Sequence, residues 1–426
     1  MAVATIPQEH TKSINIFDLP FYLVVAYLLI EYGRPQDFIP ALGSVPLGMI
    51  IQIACFSALV IRFPGKISKV SILVIIFLLI MAMGIPFAHN NFYAFRATKL
   101  FAYMLFGAIL PLIVFVNSYA KMEVIFRIWV IMVLFQAALG ILGQGENVGY
   151  FGDENDFASI LNMALPCSYF LLNTDKSTKW KAIYLFSIGM FVVANTASLS
   201  RGGFLGLIAV GMYCLAKSQR KVAALVITAM VIACMAIWAP STYWDEISSI
   251  KTAHQEGDTG EERIFYWTLA WRMFLDNPIM GVGAGNYPVD ADAYVLPAEK
   301  EERSALWGGG HYWGRACHSV YFTIISELGA PGALVFLLVV WNVWISMTKI
   351  EKESTRSLKK YDSIKSNEML SSYHSYSLAV KGAMIGFLSS GAFLSLLYYP
   401  LFWTLVAYSE IVRSNYDESS IKNRQS

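Results

Sequence analysis

Charge is scarce in this sequence. Lys, Arg, Asp and Glu make up 15% of 426 residues, against 56% hydrophobic ones, and the mean hydropathy is +0.51. A soluble domain of this length cannot bury that much apolar sequence, because surface scales too steeply with mass. Cysteine is also sparse. The five cysteines (Cys55, Cys167, Cys214, Cys234 and Cys317) lie in or beside apolar segments without a CxxC pair, which excludes a disulfide framework and a zinc site. No HExxH or similar ligand spacing involves His311 or His318, so no metal and no cofactor is expected. The "GVGAGN" run lacks the βαβ context of a nucleotide loop. The first residues, "MAVATIPQEHTKSIN", lack the charged start, apolar core and cleavage site of a secretory signal. The net charge of +2 gives no reason to expect nucleic acid as a partner.

What the sequence does have is long apolar runs. Several windows of about 18 residues carry almost no charge, enough to span roughly 30 Å of hydrocarbon. They are continuous Leu/Ile/Val/Phe runs, not alternating ones, which excludes a transmembrane barrel. The fold class is therefore all-α, a polytopic integral membrane protein. Spans are expected near 19–31, 45–61, 70–88, 100–117, 121–143, 157–173, 181–198, 203–216, 221–239, 318–347, 378–397 and 400–412, about twelve in all.

Lys and Arg in the short loops orient these spans. Arg62, Lys66, Lys69, Lys121, Lys176, Lys179, Lys181, Lys217, Arg220 and Lys221 fall on one side, together with the basic segment 348–377. With that side cytoplasmic, both termini are cytoplasmic and the stretch 240–316 is a large periplasmic or extracellular loop. The chain then divides into membrane helices over 1–239, the loop, membrane helices over 317–412, and a polar tail over 413–426. The loop holds twelve acidic residues against six basic ones. Within it, "EERIFYWTLAWRMFLDNP" reads as an amphipathic helix stopped at Asn277-Pro278, with Arg263, Trp267, Ala270 and Phe274 on one face and Arg272 opposite. "GVGAGNYP" is a turn-rich connector, and the glycines of "WGGGHYW" suggest a hinge.

Cations on the outer side break the rule that oriented the spans. They are Arg34, Arg96, Lys99 and Arg201, besides those in the loop. The span after Arg201, read from Phe204 to Ala216, reaches only roughly 20 Å, so "NTASLSRGG" should dip below the surface. An arginine there needs a partner or a water-filled cavity, or it snorkels to lipid phosphates. Outward-facing arginines suit a diphosphate, because guanidinium forks match phosphate oxygens and stay charged. The aromatic residues of the loop helix suit either sugar stacking or the headgroup plane. "GYFGDENDFASIL" puts acidic residues at a helix start, where N-capping also favours them. His318, expected to begin a helix at the interface, can accept a proton near neutral pH or hydrogen-bond locally. Glu327 lies nine residues on, about 13 Å deeper on the opposite face, and reads as a buried carboxylate bonded to another helix.

Four stretches in order resemble the bacterial O-antigen ligase and O-antigen polymerase superfamily. "GYFGDENDFASIL" is similar to its Asn-containing outer turn and matches Asn155. "TASLSRGGFLGL" resembles its Ser-Arg-Gly element and matches Arg201. "ERIFYWTLAWRMFLDNPIMGVGAGNYP" resembles its loop helix and Gly-rich turn and matches Arg263, with Trp267 beside it. "CHSVYFTIISELGAPG" resembles its His-led helix with Glu-x-Gly and matches His318 and Glu327. "YGRPQDFIP" in the first third looks more like the exosortase-associated O-glycan ligase-like members.

The resemblance implies metal-independent transfer of a glycan from undecaprenyl diphosphate to an acceptor hydroxyl, at the outer face of a bacterial inner membrane. His318 would be the catalytic base or orient the acceptor. Arg201, Arg263 and, more weakly, Arg96 would bind the diphosphate, and Asn155, Glu327 and Trp267 are candidates for the substrate cavity. The acceptor would be lipid A–core, another lipid-linked glycan (the polymerase form) or a protein. A transporter or flippase would instead place ionisable groups at mid-membrane on broken helices, and Glu327 is the group it would claim. A non-catalytic scaffold would tolerate loss of His318.

Overall fold

The computed structural model describes residues 18–63, 65, 67–143, 153–222, 225, 229, 241–248, 259–301, 312–358 and 364–425. Among them there are helices, turns and irregular segments but no strand. The longer helices are α1 (Leu19–Leu28, carried by a π-turn to Gly33), α2 (Leu47–Ile61), α3 (Lys69–Gly84), α4 (Asn91–Met104, carried on to Phe115), α5 (Tyr119–Leu142), α6 (Glu154–Leu172), α7 (Thr178–Ala197), α8 (Arg201–Lys217), α9 (Thr259–Asp276), α10 (Val320–Leu358), α11 (Ile364–Ser390) and α12 (Pro400–Gln425). The expected span 221–239 and the "GGGH" segment fall outside the described residues or almost so.

Small polar side chains set the helix starts. Ser68, Asn90, Ser118, Asp153, Ser177 and Ser200 each accept a hydrogen bond from an amide in the first turn of the helix that follows. The lengths follow from apolarity. Lys69–Phe87, Asn91–Phe115, Tyr119–Leu142, Thr178–Ala197 and Val320–Leu358 are long and apolar enough to cross a membrane. Large apolar side chains such as Val60, Phe186, Leu337 and Trp341 are exposed, as lipid-facing residues are. The protein is membrane-embedded and helical.

One continuous apolar core runs through the membrane helices, where α6 packs against α7, α8 and α11, and α10 against α3 and α11. A second, smaller core belongs to the loop. Phe265, Tyr266, Leu269, Ala270 and Met273 of α9 pack there with Val282, Tyr287, Ala291, Val295, Tyr312 and Cys317. The loop is thus a folded unit seated on the bundle through α9 and α10.

Several boundaries differ from the sequence reading, and three of them bear on the site. Helix α4 starts at Asn91, not near 100, because Asn90 Oδ1 accepts from the amides of Phe92 and Tyr93. Helix α8 starts at Arg201 itself, under the Ser200 cap, and its 17 residues reach about 25 Å. His318 does not begin a helix. It sits two residues before α10 in a left-handed conformation with φ 50°.

Candidate functional site

The first part of the site is a polar seam between two helix starts. Asp153 Oδ1 accepts from both the amide and the side-chain nitrogen of Asn155, at 2.7 and 2.8 Å. Asn155 Oδ1 in turn accepts from Ser200 Oγ at 2.7 Å, and Ser200 Oγ accepts from the amide of Gly203 at 2.8 Å. One residue earlier, Leu199 holds φ 57°, which turns the chain sharply from α7 into α8. Deeper, Asn162 Nδ2 donates to Gly203 O (2.9 Å) and Ser390 Oγ (3.2 Å), and Asn195 Nδ2 donates to Asn162 Oδ1 (3.1 Å). Arg201 is therefore the first residue of a helix whose start is fixed by buried hydrogen bonds. A cation there lies at the positive end of the helix dipole, where the first-turn amides also favour an anion.

The second part comes from the loop helix. The Arg263 guanidinium lies 6.0 Å from the ring centroid of Phe393. Trp267, one turn on, stacks on Phe322 (5.4 Å, 10° between planes) and approaches Phe393 at 6.3 Å. Phe393 also lies against Gly202, where a Cβ would come within 3.0 Å of its side chain. One ring thus joins Arg263 and Trp267 to the residue after Arg201. Trp267 Nε1 is a buried donor with no acceptor among the described residues. Arg272, on the far side of α9, is held by Glu299 at 2.6 and 2.8 Å.

His318 is the third part. Its amide donates to Ser395 Oγ at 2.8 Å, and its ring stacks on Tyr266 at 6.3 Å. Burial and the positive charge of Arg263 lower its pKa from the ordinary histidine value, while Asp153 and Glu262 act in the opposite direction. The left-handed backbone of His318 is uncommon outside glycine, and such conformations gather at functional sites.

Glu327 does something different. Its carboxylate accepts from the amides of Gly285 (2.7 Å) and Tyr287 (3.0 Å) and from Tyr398 Oη (2.7 Å). The expectation of a bond to another helix is corrected in part, since two of the three donors are backbone amides of the "GVGAGNYP" connector. The connector runs along the broken part of α10. Val282 N donates to Ser326 O, Gly283 N to Glu327 O, and Ala330 N to Pro278 O, at 2.8, 3.1 and 2.8 Å. Gly281 (φ 62°) and Gly329 (φ 61°) face this seam from opposite sides. A Cβ on Gly281 would meet the backbone of Glu327, and one on Gly329 would meet the carbonyls of Ile279 and Pro278. Both glycines are needed for conformation and for close approach.

The structure therefore brings Asn155, Arg201, Arg263, Trp267 and His318 around one locus, with Glu327 bracing its edge. Arg96 is exposed on α4 and is not among the charges that act on His318. Arg34 is paired with Asp37.

The residue that sequence reasoning missed is Phe393, and with it the whole turn after α11. Phe393, Ser395 and Tyr398 reach Arg263, His318 and Glu327 respectively. The available signal was the one serine and three aromatic residues that interrupt the apolar run in "AFLSLLYYP".

Residues 183–337 match the family model described as O-antigen ligase. That segment holds Arg201, Arg263, His318 and Glu327, while Asn155 and Phe393 lie outside it. The chain is also similar to the teichuronic acid biosynthesis protein TuaE of Bacillus subtilis (strain 168), at 23% identity over 214 residues. That alignment covers 43% of this chain and 44% of the relative, so less than half of each is compared.

Proposed function

Taking an O-antigen ligase domain over residues 183–337 as the premise, we propose that the protein transfers a glycan from undecaprenyl diphosphate to an acceptor hydroxyl. The observation that supports this best is the convergence of the α8 start, Arg263 and His318 around the turn carrying Phe393 and Ser395. Glycosyl transfer needs a base for the hydroxyl proton and fixed cations for the charge that develops on the departing diphosphate. His318 Nδ1 or Nε2 takes the proton as the acceptor oxygen bonds to the anomeric carbon. The bond from that carbon to the diphosphate oxygen breaks, and its electron pair leaves with the diphosphate. Arg201, with the α8 amides behind it, and Arg263 hold that charge, and Arg96 serves as a third cation at the approach. The imidazolium then releases its proton to solvent. Trp267 offers Nε1 to a sugar or phosphate oxygen, and Asn155 fixes the depth of Arg201.

The reading includes a chain of about twelve spans in the inner membrane, with both termini cytoplasmic and the loop 240–316 periplasmic. The relative's part in teichuronic acid biosynthesis favours a second form of the same reaction, in which the acceptor is another lipid-linked glycan. A transporter reading is weakened because Glu327 is engaged by three donors at the loop seam.

The test uses the purified full chain with undecaprenyl-diphosphate glycan and an acceptor, in the presence of a chelator. Free lipid diphosphate should be released, and Arg201→Ala, Arg263→Ala and His318→Ala should each abolish release while still inserting in the membrane. Full activity in His318→Ala, or abolition by the chelator, would overturn the mechanism. The product separates the forms: a lengthened glycan on the carrier marks a polymerase, and a glycan on a new acceptor marks a ligase.

A further inference from the structure

A cavity of about 410 Å³ lies at the end of the bundle opposite His318, between α6, α7, α8 and α11. Helix α8 connects the two ends, with Arg201 at its start and Lys217 at its finish, about 25 Å apart. Lys181, Lys217, Arg220, His374, Asn173 and Ser371 are among the polar residues of the wall, and no carboxylate lines it among the described residues.

The cations there exceed the anions. Lys217 and Lys381 share the single carboxylate of Glu351, at 2.6 and 2.8 Å. Lys381 is buried and also lies 4.5 Å from the ring centroid of Trp344. Lys181 and Arg220 have no carboxylate partner among the described residues. These cations are not needed to satisfy the end of α8 either, because Lys221 Nζ already donates to the carbonyls of Leu215 and Ala216. A concave site lined by a histidine, amides, hydroxyls and three cations, of which only Lys217 is met by a carboxylate among the described residues, has the chemistry of a phosphate receptor. Its volume exceeds one phosphate group and leaves room for a headgroup.

We propose that this cavity binds a phosphate group, carried by an anionic phospholipid headgroup or by a soluble phosphate, at the end of the bundle remote from the glycan site. Binding there couples α6, α7, α8 and α11, the same helices whose other ends carry Asn155, the Leu199 turn, Arg201 and Phe393.

The full chain is purified in mild detergent, incubated with mixed phosphatidylglycerol and phosphatidylcholine, and read by native mass spectrometry and thermal shift. The wild type should retain phosphatidylglycerol over phosphatidylcholine. Lys181→Gln with Arg220→Gln should lower that preference about fivefold for each charge removed, the weight of one basic residue beside an anionic lipid. Lys179→Gln removes an exposed charge from the same basic end but outside the cavity, and should change nothing. Retained lipid that millimolar inorganic phosphate does not displace assigns the site to a headgroup. Stabilisation by inorganic phosphate alone, lost in the double variant, assigns it to a soluble phosphate. Equal losses in Lys179→Gln and the double variant, or no response to either ligand, would overturn the proposal.

Discussion

Ser200 Oγ donates a hydrogen bond to Asn155 Oδ1 across 2.7 Å while accepting one from the amide of Gly203. One oxygen thus caps α8 and ties it to the start of α6. Ser200→Ala loses the cap, about 1 kcal/mol, and leaves the buried Asn155 oxygen unpaired, about 1–3 kcal/mol more. We expect a lower melting temperature in detergent and a loss of glycan transfer at least tenfold larger than in Ser198→Ala. Ser198 Oγ donates to the carbonyl of Asn195 at the end of α7 and accepts only a long bond, 3.4 Å, from the amide of Ser200.

Glu327→Gln keeps volume but replaces one acceptor oxygen by an NH2 donor facing an amide or Tyr398 Oη. The connector should loosen, costing about 1–3 kcal/mol for the group left unsatisfied. Limited proteolysis of the inserted protein should then cut faster near 281–287, with transfer reduced. An unchanged cleavage rate would remove Glu327 from this bracing role.

The pH dependence of transfer should report on His318. Burial and Arg263 hold its pKa below the ordinary value of 6.5, so the neutral base persists to lower pH and the acidic limb lies below 6.5. Arg315 is exposed and also disfavours the imidazolium. Arg315→Gln should therefore move the acidic limb upward. His318→Asn suits the left-handed backbone but not the chemistry, so the chain should fold normally and lose transfer.

Phe393→Ala removes the ring shared by Gly202, Arg263 and Trp267. A cation–π contact of this kind is worth about 0.5–2 kcal/mol. Losing it should raise KM for the lipid-linked donor about 2- to 30-fold, with Phe393→Tyr close to wild type. Steady-state kinetics on the two variants decides this.

Asp290 is 3% exposed and belongs to the loop. Burial raises its pKa to about 6, against the pull of His89, whose Nδ1 lies 3.5 Å away. A carboxyl raised in the folded state holds its proton there and gives it up unfolded, so stability falls as pH rises from about 4 to about 6. Asp290→Asn should abolish that slope and raise the melting temperature at pH 7.5 by a few degrees. Thermal unfolding from pH 4 to pH 8 measures it.

The helices were legible wherever composition is dominated by lipid contact. Apolar runs locate α3, α5 and α7 to within a few residues, since their outer faces must be hydrocarbon-compatible along their length. Hydropathy reads the membrane and not the helix, so the apolar run marks α11 only from 378 although the helix begins at Ile364. Its polar first turns are helical but carry no lipid signal. The cations and His318 were legible because a charge in apolar surroundings stands out. Phe393 was not, because an aromatic residue among apolar neighbours is ordinary until the fold sets it against Gly202, almost two hundred residues earlier.

The facing glycines of the connector and the broken helix have a genetic corollary. Gly281 is confined by the main chain at Glu327, and Gly329 by the main chain at Ile279 and Pro278. A clash with a side chain can be relieved by shrinking that side chain elsewhere, but no substitution removes a main-chain carbonyl. Loss-of-function changes at these two glycines should accordingly yield true revertants and no intragenic suppressors at the contacting positions.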